Sequence, residues 1–368
     1  MVASKKNEHY TRRIQSGVLQ LTLSDGHDRM DELMDFASRE NPKRHFSFVS
    51  KVLGKHIPVQ PLLMRKIYDE LSDLCALDGD TYVVAMSEMG VGLGAGVADS
   101  LSKIHPEYDI YFQHTTRSQL GRKAWLNLDE VHSHAVNHIL YEPVIELRQK
   151  IKASTTLVIV DDEITTGRTV FLLASRVMQK VPNIQKIIFV SLVNWLSDDN
   201  TQKFNELGIQ VEFIQLMKGE FTFKKHDDFY TALPAKVDSS ISSSTCRQDL
   251  GRLGLKMPYH LDLPTRYADD LKQDKVVVVG HGEHLYLPFL LAEDLQKQGV
   301  DVVFQSTTRS PVLEGDAIKH RICFEVDDDK EHYIYNFPTD RKALAMSESD
   351  DSLGFHHHIQ QRPFKVPL

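Results

Sequence analysis

The apolar residues of this chain fall into two rhythms. Over 29–38 and again over 62–77 they recur at helical spacing, which predicts two early helices. Further on, short β-branched runs alternate with amphipathic stretches: strand 81–87, helix 91–103, strand 108–113, helix 143–152, strand 156–161, helix 167–180, strand 186–193, helix 200–207 and strand 210–216. Alternation of this kind predicts an α/β fold, a mostly parallel sheet with helices on both faces. Ligands of such sheets sit beyond the carboxyl ends of the strands. A second, smaller α/β pattern follows, with a strand over 276–279, a helix over 288–298 and a strand over 301–305.

The stretch 236–245, KVDSSISSST, holds five serines and reads as a linker. The expected organisation is therefore a polar leader over 1–20, a first domain over 21–235, a Ser-rich linker over 236–250, a second domain over 251–345 and a polar tail over 346–368 that contains His356, His357 and His358. The two domains share a repeat. VVAMSEMGVGLGAGVADSL (83–101) with YFQHTTRS (111–118) is matched by VVGHGEHLYLPFLLAEDL (278–295) with VFQSTTRS (303–310). Glu88 aligns with Glu283 and Arg117 with Arg309, and no counterpart of VDDEITTG is present in the second copy.

The string VIVDDEITTGRT, 158–169, concentrates the candidate chemistry. A β-branched run ends in Asp161 and Asp162; Thr165, Thr166 and Gly167 follow, and Val170, Leu173, Val177 and Val181 then lie on one helical face. Carboxylates accept hydrogen bonds from vicinal hydroxyls and hold magnesium through oxygen. A Thr-Thr-Gly turn at a helix start offers amides, hydroxyls and the positive end of the helix dipole, all of which favour a phosphate. Gly167 permits close approach and unusual φ/ψ. A solvated acid pair with an N-capping threonine is the plainer reading of the parts. The whole string favours a ligand that carries both sugar hydroxyls and a phosphate.

This string resembles the phosphoribosyl-pyrophosphate (PRPP) motif of type I phosphoribosyltransferases. NPKRHFSFVSKVLGKHIPVQP (41–61), SEMGVGLG (87–94) and EVHSHA (130–135) resemble the branch of that superfamily found with bacterial tellurium-resistance and stress-response gene clusters. TTRSPV (307–312) resembles the TRSP domain that follows it in that branch. The resemblance implies a Rossmann-like parallel sheet. It also implies magnesium-dependent transfer of 5-phosphoribosyl from PRPP to a nitrogenous base with release of pyrophosphate, or the reverse from a nucleotide. Some relatives bind PRPP or nucleotides and catalyse nothing, so a regulatory or assembly protein on the same fold stays open. On the matching positions, Thr165, Thr166, Gly167, Arg168 and Thr169 are implied to hold the 5′-phosphate, and Asp161 and Asp162 the ribose hydroxyls and the metal. A homodimer is implied in the same way.

Further pieces of such a site are expected elsewhere. Ser87, Glu88, Met89 and Gly90 stand where a pyrophosphate loop belongs, and Gly90, Gly92 and Gly94 leave backbone amides accessible. The segment 114–141 shows no clear strand and reads as a lid. In it Arg117 and Arg122 suit bidentate phosphate contact and are catalytic candidates, with Lys123, His132 and His134 as further lid residues. His134 and His138 would share a helix face, which leaves a metal site open beside a role in the lid. Phe46, Phe48, Lys51 and Lys55 fit either a hood over the base or ordinary core and surface. In the second domain His281, Glu283, Thr308 and Arg309 fit either a second anion site or a structural turn.

At 368 residues and 42.0 kDa the chain is long enough for two cores. A net charge of −8 argues against broad nucleic-acid or anionic-membrane binding, so an anionic ligand needs local arginine and lysine. The three cysteines, Cys75, Cys246 and Cys323, are far apart and form no CxxC, which suggests neither a disulfide framework nor a zinc ribbon. The opening residues have no apolar signal region, and the longest apolar run is too short to span a bilayer. A soluble, cytoplasmic protein is expected.

Overall fold

In a computed structural model the described residues are 7–41, 44–128, 138–230, 241–242, 251–259, 266–326 and 330–348. Contacts gather the chain into two units, neither of them one continuous stretch. One unit is Lys66–Lys218 with Asp238–His260; the other is Met1–Arg65 with Gly219–Val237 and Leu261–Leu368.

The sheet of the Lys66–Lys218 unit has the order Gln210–Lys225 (its first half), Lys186–Asn194, Thr156–Val160, Thr81–Ala85, Ile110–His114 and Leu255–Met257. Every neighbour is parallel except Leu255–Met257, which runs antiparallel to Ile110–His114. Thr156–Val160 is buried at every position, as expected of an unbroken apolar strand covered on both faces. On one face Tyr82, Val84, Leu157, Ile159 and Phe189 pack with Leu173 and Val177 of the helix Arg168–Met178. On the other lies the helix Gly90–Ile104, so close that a methyl group on Gly94 would stand 2.4 Å from the Ala85 Cβ. The expected strand–helix alternation is present throughout this unit.

One expectation fails here. The segment 114–141 is not free of strands: it carries Ser118–Gln119, Ala124–Leu128 and His138–Tyr141, the last two paired antiparallel across a bulge. Trp125, Leu126, Leu128, Leu140 and Tyr141 are buried in the core, but Trp125 and Leu126, like Leu140 and Tyr141, are adjacent, so no period of two shows in the sequence. Of the Ser-rich stretch 236–250 the described part is Ile241–Ser242, which pairs in parallel with Ser118–Gln119.

The other unit begins with a hairpin, Glu8–Ile14 with Gly17–Asp25, which takes up much of the stretch 1–20 read as a leader and runs five residues past it. Leu19, Leu21 and Leu23 form its buried face, while residues 8–13 alternate between partly and fully exposed positions and Ile14 is buried. The helix expected over 29–38 is confined to Met30–Leu33; Met34–Ser38 is a strand paired antiparallel with Phe46–Ser50. Buried Met30, Leu33 and Met34 imitate helical spacing, but Phe36 is drawn across to Phe48, with ring centroids 5.7 Å apart. A three-stranded parallel sheet follows later in the chain, in the order Asp301–Ser306, Lys275–Gly280, Lys342–Met346, with the helix Tyr286–Lys297 and the hairpin Arg321–Val326/Lys330–Tyr335. The first sixty-five residues belong with this sheet: Val59 and Phe304 exchange backbone hydrogen bonds of 3.0 and 2.7 Å, and Arg65 pairs with the buried Glu293 at 2.7 Å. Burial alone would raise the Glu293 carboxyl; Arg65 and Lys297 more than offset it and hold it below the usual carboxylate range. Among the described residues no helix is long and apolar enough to cross a membrane.

Candidate active site

The strand Thr156–Val160 delivers Asp161 and Asp162 to the carboxyl edge of the sheet. The turn is pinned by its own backbone. Asp161 N donates to Val190 O at 3.0 Å, and Leu192 N donates to Asp162 O at 3.1 Å. Asp162 N donates to the Asp161 carboxylate, also at 3.0 Å. Glu163–Ile164 then pairs with Val193–Asn194. Both acids keep part of their surface exposed. Burial, and after it the Asp162 charge alongside, pushes the Asp161 carboxyl well above the ordinary range.

Thr165 and Thr166 precede the helix Arg168–Met178, whose N-cap Gly167 has φ 72° and ψ −1°. That left-handed conformation favours glycine. A glycine cap brings no side-chain acceptor to the first-turn amides, which leaves them suited to an anion. Thr166 and Arg168 are exposed, and Thr165 and Thr169 partly so. A cavity of about 430 Å³ opens beside this helix start, lined by Thr166, Gly167, Arg168, Phe171, Asn200 and Lys203 among others; the two acids do not line it.

The neighbouring strand Thr81–Ala85 ends in the second loop. Met86 N donates to Val160 O at 2.9 Å, and the Ser87–Glu88 peptide is cis. Gly90 brings this loop against the acid turn: a methyl group there would stand 2.9 Å from Val160 O and 3.2 Å from the Asp161 Cα. The chain passes from Thr81–Ala85 to Ile110–His114 on one side and later to Thr156–Val160 on the other. Such a reversal of strand order leaves a crevice between carboxyl ends, where open α/β sheets bind ligands.

A third group comes from the strand Ile110–His114 and the start of His138–Tyr141. Ser87 N donates to Thr115 Oγ1 at 3.0 Å. His138 Nδ1 lies 3.2 Å from Ser87 Oγ and 3.3 Å from Thr115 Oγ1, and its Nε2 lies 3.5 Å from an Arg117 guanidinium nitrogen. One imidazole thus links the Ser87 loop to Arg117.

A model of the PRTase_2 family, described as phosphoribosyl transferase, matches residues 33–220, just over half of the chain. The chain belongs to this family. A second model, the TRSP domain C-terminal to PRTase_2, matches residues 257–353. The protein is a phosphoribosyltransferase with the expected α/β fold. No curated protein matches it. Among solved structures it is similar to adenine phosphoribosyltransferases. That of Trypanosoma brucei, in complex with AMP, pyrophosphate and ribose 5-phosphate, is 14% identical over 52% of this chain and 78% of its own, with a TM-score of 0.37. That of Saccharomyces cerevisiae, complexed with an imino-altritol bisphosphate and adenine, is 16% identical over 52% and 98%, with a TM-score of 0.34. That of Giardia lamblia, with 9-deazaadenine, is 14% identical over 52% and 97%, with a TM-score of 0.37.

Within this phosphoribosyl transferase the candidate residues are not all together. Asp161, Asp162, Gly90, Ser87 and Arg117 belong to the two loops and the network between them. Arg122 and Lys123 are exposed, and Lys123 pairs with Glu142 at 3.3 Å. His132 and His134 lie outside the described residues. His138 begins a strand, so a shared helix face with His134 does not arise there. No cluster of three or more His, Cys, Asp or Glu residues suited to a metal is found among the described residues. Phe46 and Phe48 are buried against Phe221, and Lys55 is 1% exposed. His281, Glu283, Thr308 and Arg309 lie at the ends of Lys275–Gly280 and Asp301–Ser306. The Gly90–Asp161 approach and the Ser87–His138 link were missed in the sequence. Gly90 directly before a helix was the available signal for the first; contact across fifty-one positions leaves none for the second.

Proposed function

We propose that this phosphoribosyl transferase moves 5-phosphoribosyl from PRPP to a nitrogenous base and releases pyrophosphate, or runs the reverse from a nucleotide. One observation carries the reading: the Gly90 loop meets the Asp161 turn at a sheet reversal, and that turn leads into a glycine-capped helix start.

In this proposal Thr165, Thr166, Gly167, Arg168 and Thr169 hold the 5′-phosphate through hydroxyls and helix-start amides. Asp161 and Asp162 accept hydrogen bonds from the ribose hydroxyls. Ser87, Glu88, Met89 and Gly90 form the pyrophosphate loop. As the bond between C1 and the pyrophosphate oxygen breaks, its electron pair leaves with pyrophosphate, and a nitrogen lone pair of the base forms the new bond to C1. Positive charge grows on the ribose and negative charge on the leaving group. The two carboxylates stabilise the first; Arg117 and Arg122 stabilise the second. One carboxylate of the pair accepts a proton from the incoming base. Lys123, His132 and His134 complete the cover that keeps water away.

Magnesium suits the donor set, two adjacent and partly exposed carboxylates, and Asp161 and Asp162 would hold it. When bound it supplies positive charge to the pyrophosphate oxygens. The homodimer and the link to tellurium resistance and stress response are carried by the family resemblance alone.

Pyrophosphate release from PRPP with magnesium, measured over a panel of purine, pyrimidine and other nitrogenous bases, tests the reading. Release with at least one base is expected. Saturable PRPP binding with no release for any base would contradict it and leave a binding protein.

A further inference from the structure

Two stretches of the chain build the same hydrogen-bonded frame, one in each unit. In the first, Thr115 N donates to Ala85 O at 2.9 Å, and Ser87 N donates to Thr115 Oγ1 at 3.0 Å. Ser118 N donates to Thr116 Oγ1 at 3.0 Å, and Tyr141 Oη donates to Ser118 O at 2.8 Å while accepting from Leu120 N at 2.9 Å. In the second, Thr307 N donates to Gly280 O at 3.0 Å, and Gly282 N donates to Thr307 Oγ1 at 2.9 Å. Ser310 N donates to Thr308 Oγ1 at 3.2 Å, and Tyr335 Oη donates to Ser310 O at 2.6 Å while accepting from Val312 N at 2.8 Å. Thr116 and Ile139 exchange backbone hydrogen bonds, and so do Thr308 and Tyr333.

The strand register agrees. Ala85 sits opposite Val160, and Gly280 opposite Met346. Met86 N donates to Val160 O at 2.9 Å, and His281 N donates to Met346 O at 3.0 Å. These bonds put Glu88 in register with Glu283, Arg117 with Arg309, His138 with His332, and the Asp161–Asp162 pair with Ser347 and Glu348. Strand order reverses at Lys275–Gly280 as it does at Thr81–Ala85, so a second crevice faces the carboxyl ends.

The groups around that crevice are strongly polar for their burial. Lys55 donates its ammonium to Gly282 O at 3.2 Å. His281 Nδ1 lies 3.0 Å from Thr307 Oγ1, and its ring centroid lies 4.8 Å from that of His332. Lys55, Glu283, Thr307, Thr308 and His332 are all at most 7% exposed. Holding such groups away from water is costly. The frame itself does not require His281, since Met86 occupies its position in the first copy and the same bonds form.

We propose that this crevice is a second ligand site, taking a small phosphorylated molecule that also bears hydroxyl groups. Lys55, Arg309 and the two imidazoles provide the cations and donors for phosphate. Glu283, Ser347 and Glu348 provide partners for hydroxyls. The frame stands on its distances; the ligand class rests on the reading of the first crevice given above.

The test titrates ribose 5-phosphate into the full chain by calorimetry. It uses wild type, a first-site variant (Thr166→Val with Arg168→Gln) and two second-site variants, Arg309→Gln and His281→Gln, each checked for folding by circular dichroism. A binding event that survives in the first-site variant and weakens at least about tenfold in Arg309→Gln and His281→Gln is expected. Loss of all binding in the first-site variant would overturn the proposal. So would a surviving event that neither second-site variant changes. Failure of base transfer with this event intact would instead count against the function assigned to the first site.

Discussion

Gly90 lies so close to Asp161 that a methyl group on it would stand 3.2 Å from the Asp161 Cα and 2.9 Å from the Val160 carbonyl oxygen. The contact joins the proposed pyrophosphate loop to the acid turn. Its consequence is steric, since Gly90 begins a helix and alanine suits that backbone. Gly90→Ala is expected to destabilise the fold by about 1–3 kcal/mol through overpacking. It should also lower kcat/KM for PRPP by more than the loss of folded protein accounts for. Denaturant unfolding alongside pyrophosphate release checks both, and unchanged kinetics in folded Gly90→Ala would contradict the role given to this approach.

Gly167 is constrained twice. Its φ of 72° disfavours any side chain, and a methyl group there would stand 2.8 Å from Phe204 and 2.9 Å from Leu196. Gly167→Ala should therefore cost about 2–4 kcal/mol, combining a left-handed penalty with an overpacked contact. A shift in the denaturation midpoint measures it.

Asp161 supplies a pH prediction. Burial and then Asp162 raise its carboxyl in the folded protein, so the native state holds a proton that the unfolded chain releases. From the ordinary carboxylate pKa, about 3.9, up to the raised folded value, stability therefore falls as pH rises. Asp161→Asn cannot ionise and escapes that loss. Thermal melts should find it at least as stable as wild type at pH 8, with the gain shrinking toward pH 4. Lower stability at pH 8 would contradict the assignment.

His138 is expected to act by positioning, through its 3.2 Å contact with Ser87 and its 3.5 Å contact with Arg117. His138→Ala should raise KM for PRPP about tenfold, the scale of one or two lost hydrogen bonds, with a smaller change in kcat. His138→Gln should recover part of the loss. Equal falls in kcat for both variants, with KM unmoved, would rule out a positioning role.

The strand, acid turn and helix around Asp161 were legible because a short buried strand of β-branched residues, two acids and a glycine leave strong local marks. The hairpin of Ala124–Leu128 and His138–Tyr141 was not, because its buried residues sit side by side instead of alternating. Nor was the strand Met34–Ser38, whose partner sets its state. The grouping of the first sixty-five residues with the late sheet depends on contacts such as Val59 with Phe304, and distant pairing leaves no local pattern. Gly94 carries a related lesson: in a glycine-rich turn it reads as an exposed amide, but it packs against Ala85. The repeat, by contrast, was visible from TTRS occurring twice, and its hydrogen bonds agree position by position.

Pyrophosphate release by the Asp161→Asn/Asp162→Asn double variant tests the central claim most directly. Removing one charge-stabilising group typically lowers turnover on the order of 10²–10³, so the pair should bring release to background while circular dichroism and melting still report a folded chain. Release at the wild-type rate from that folded variant would contradict the account.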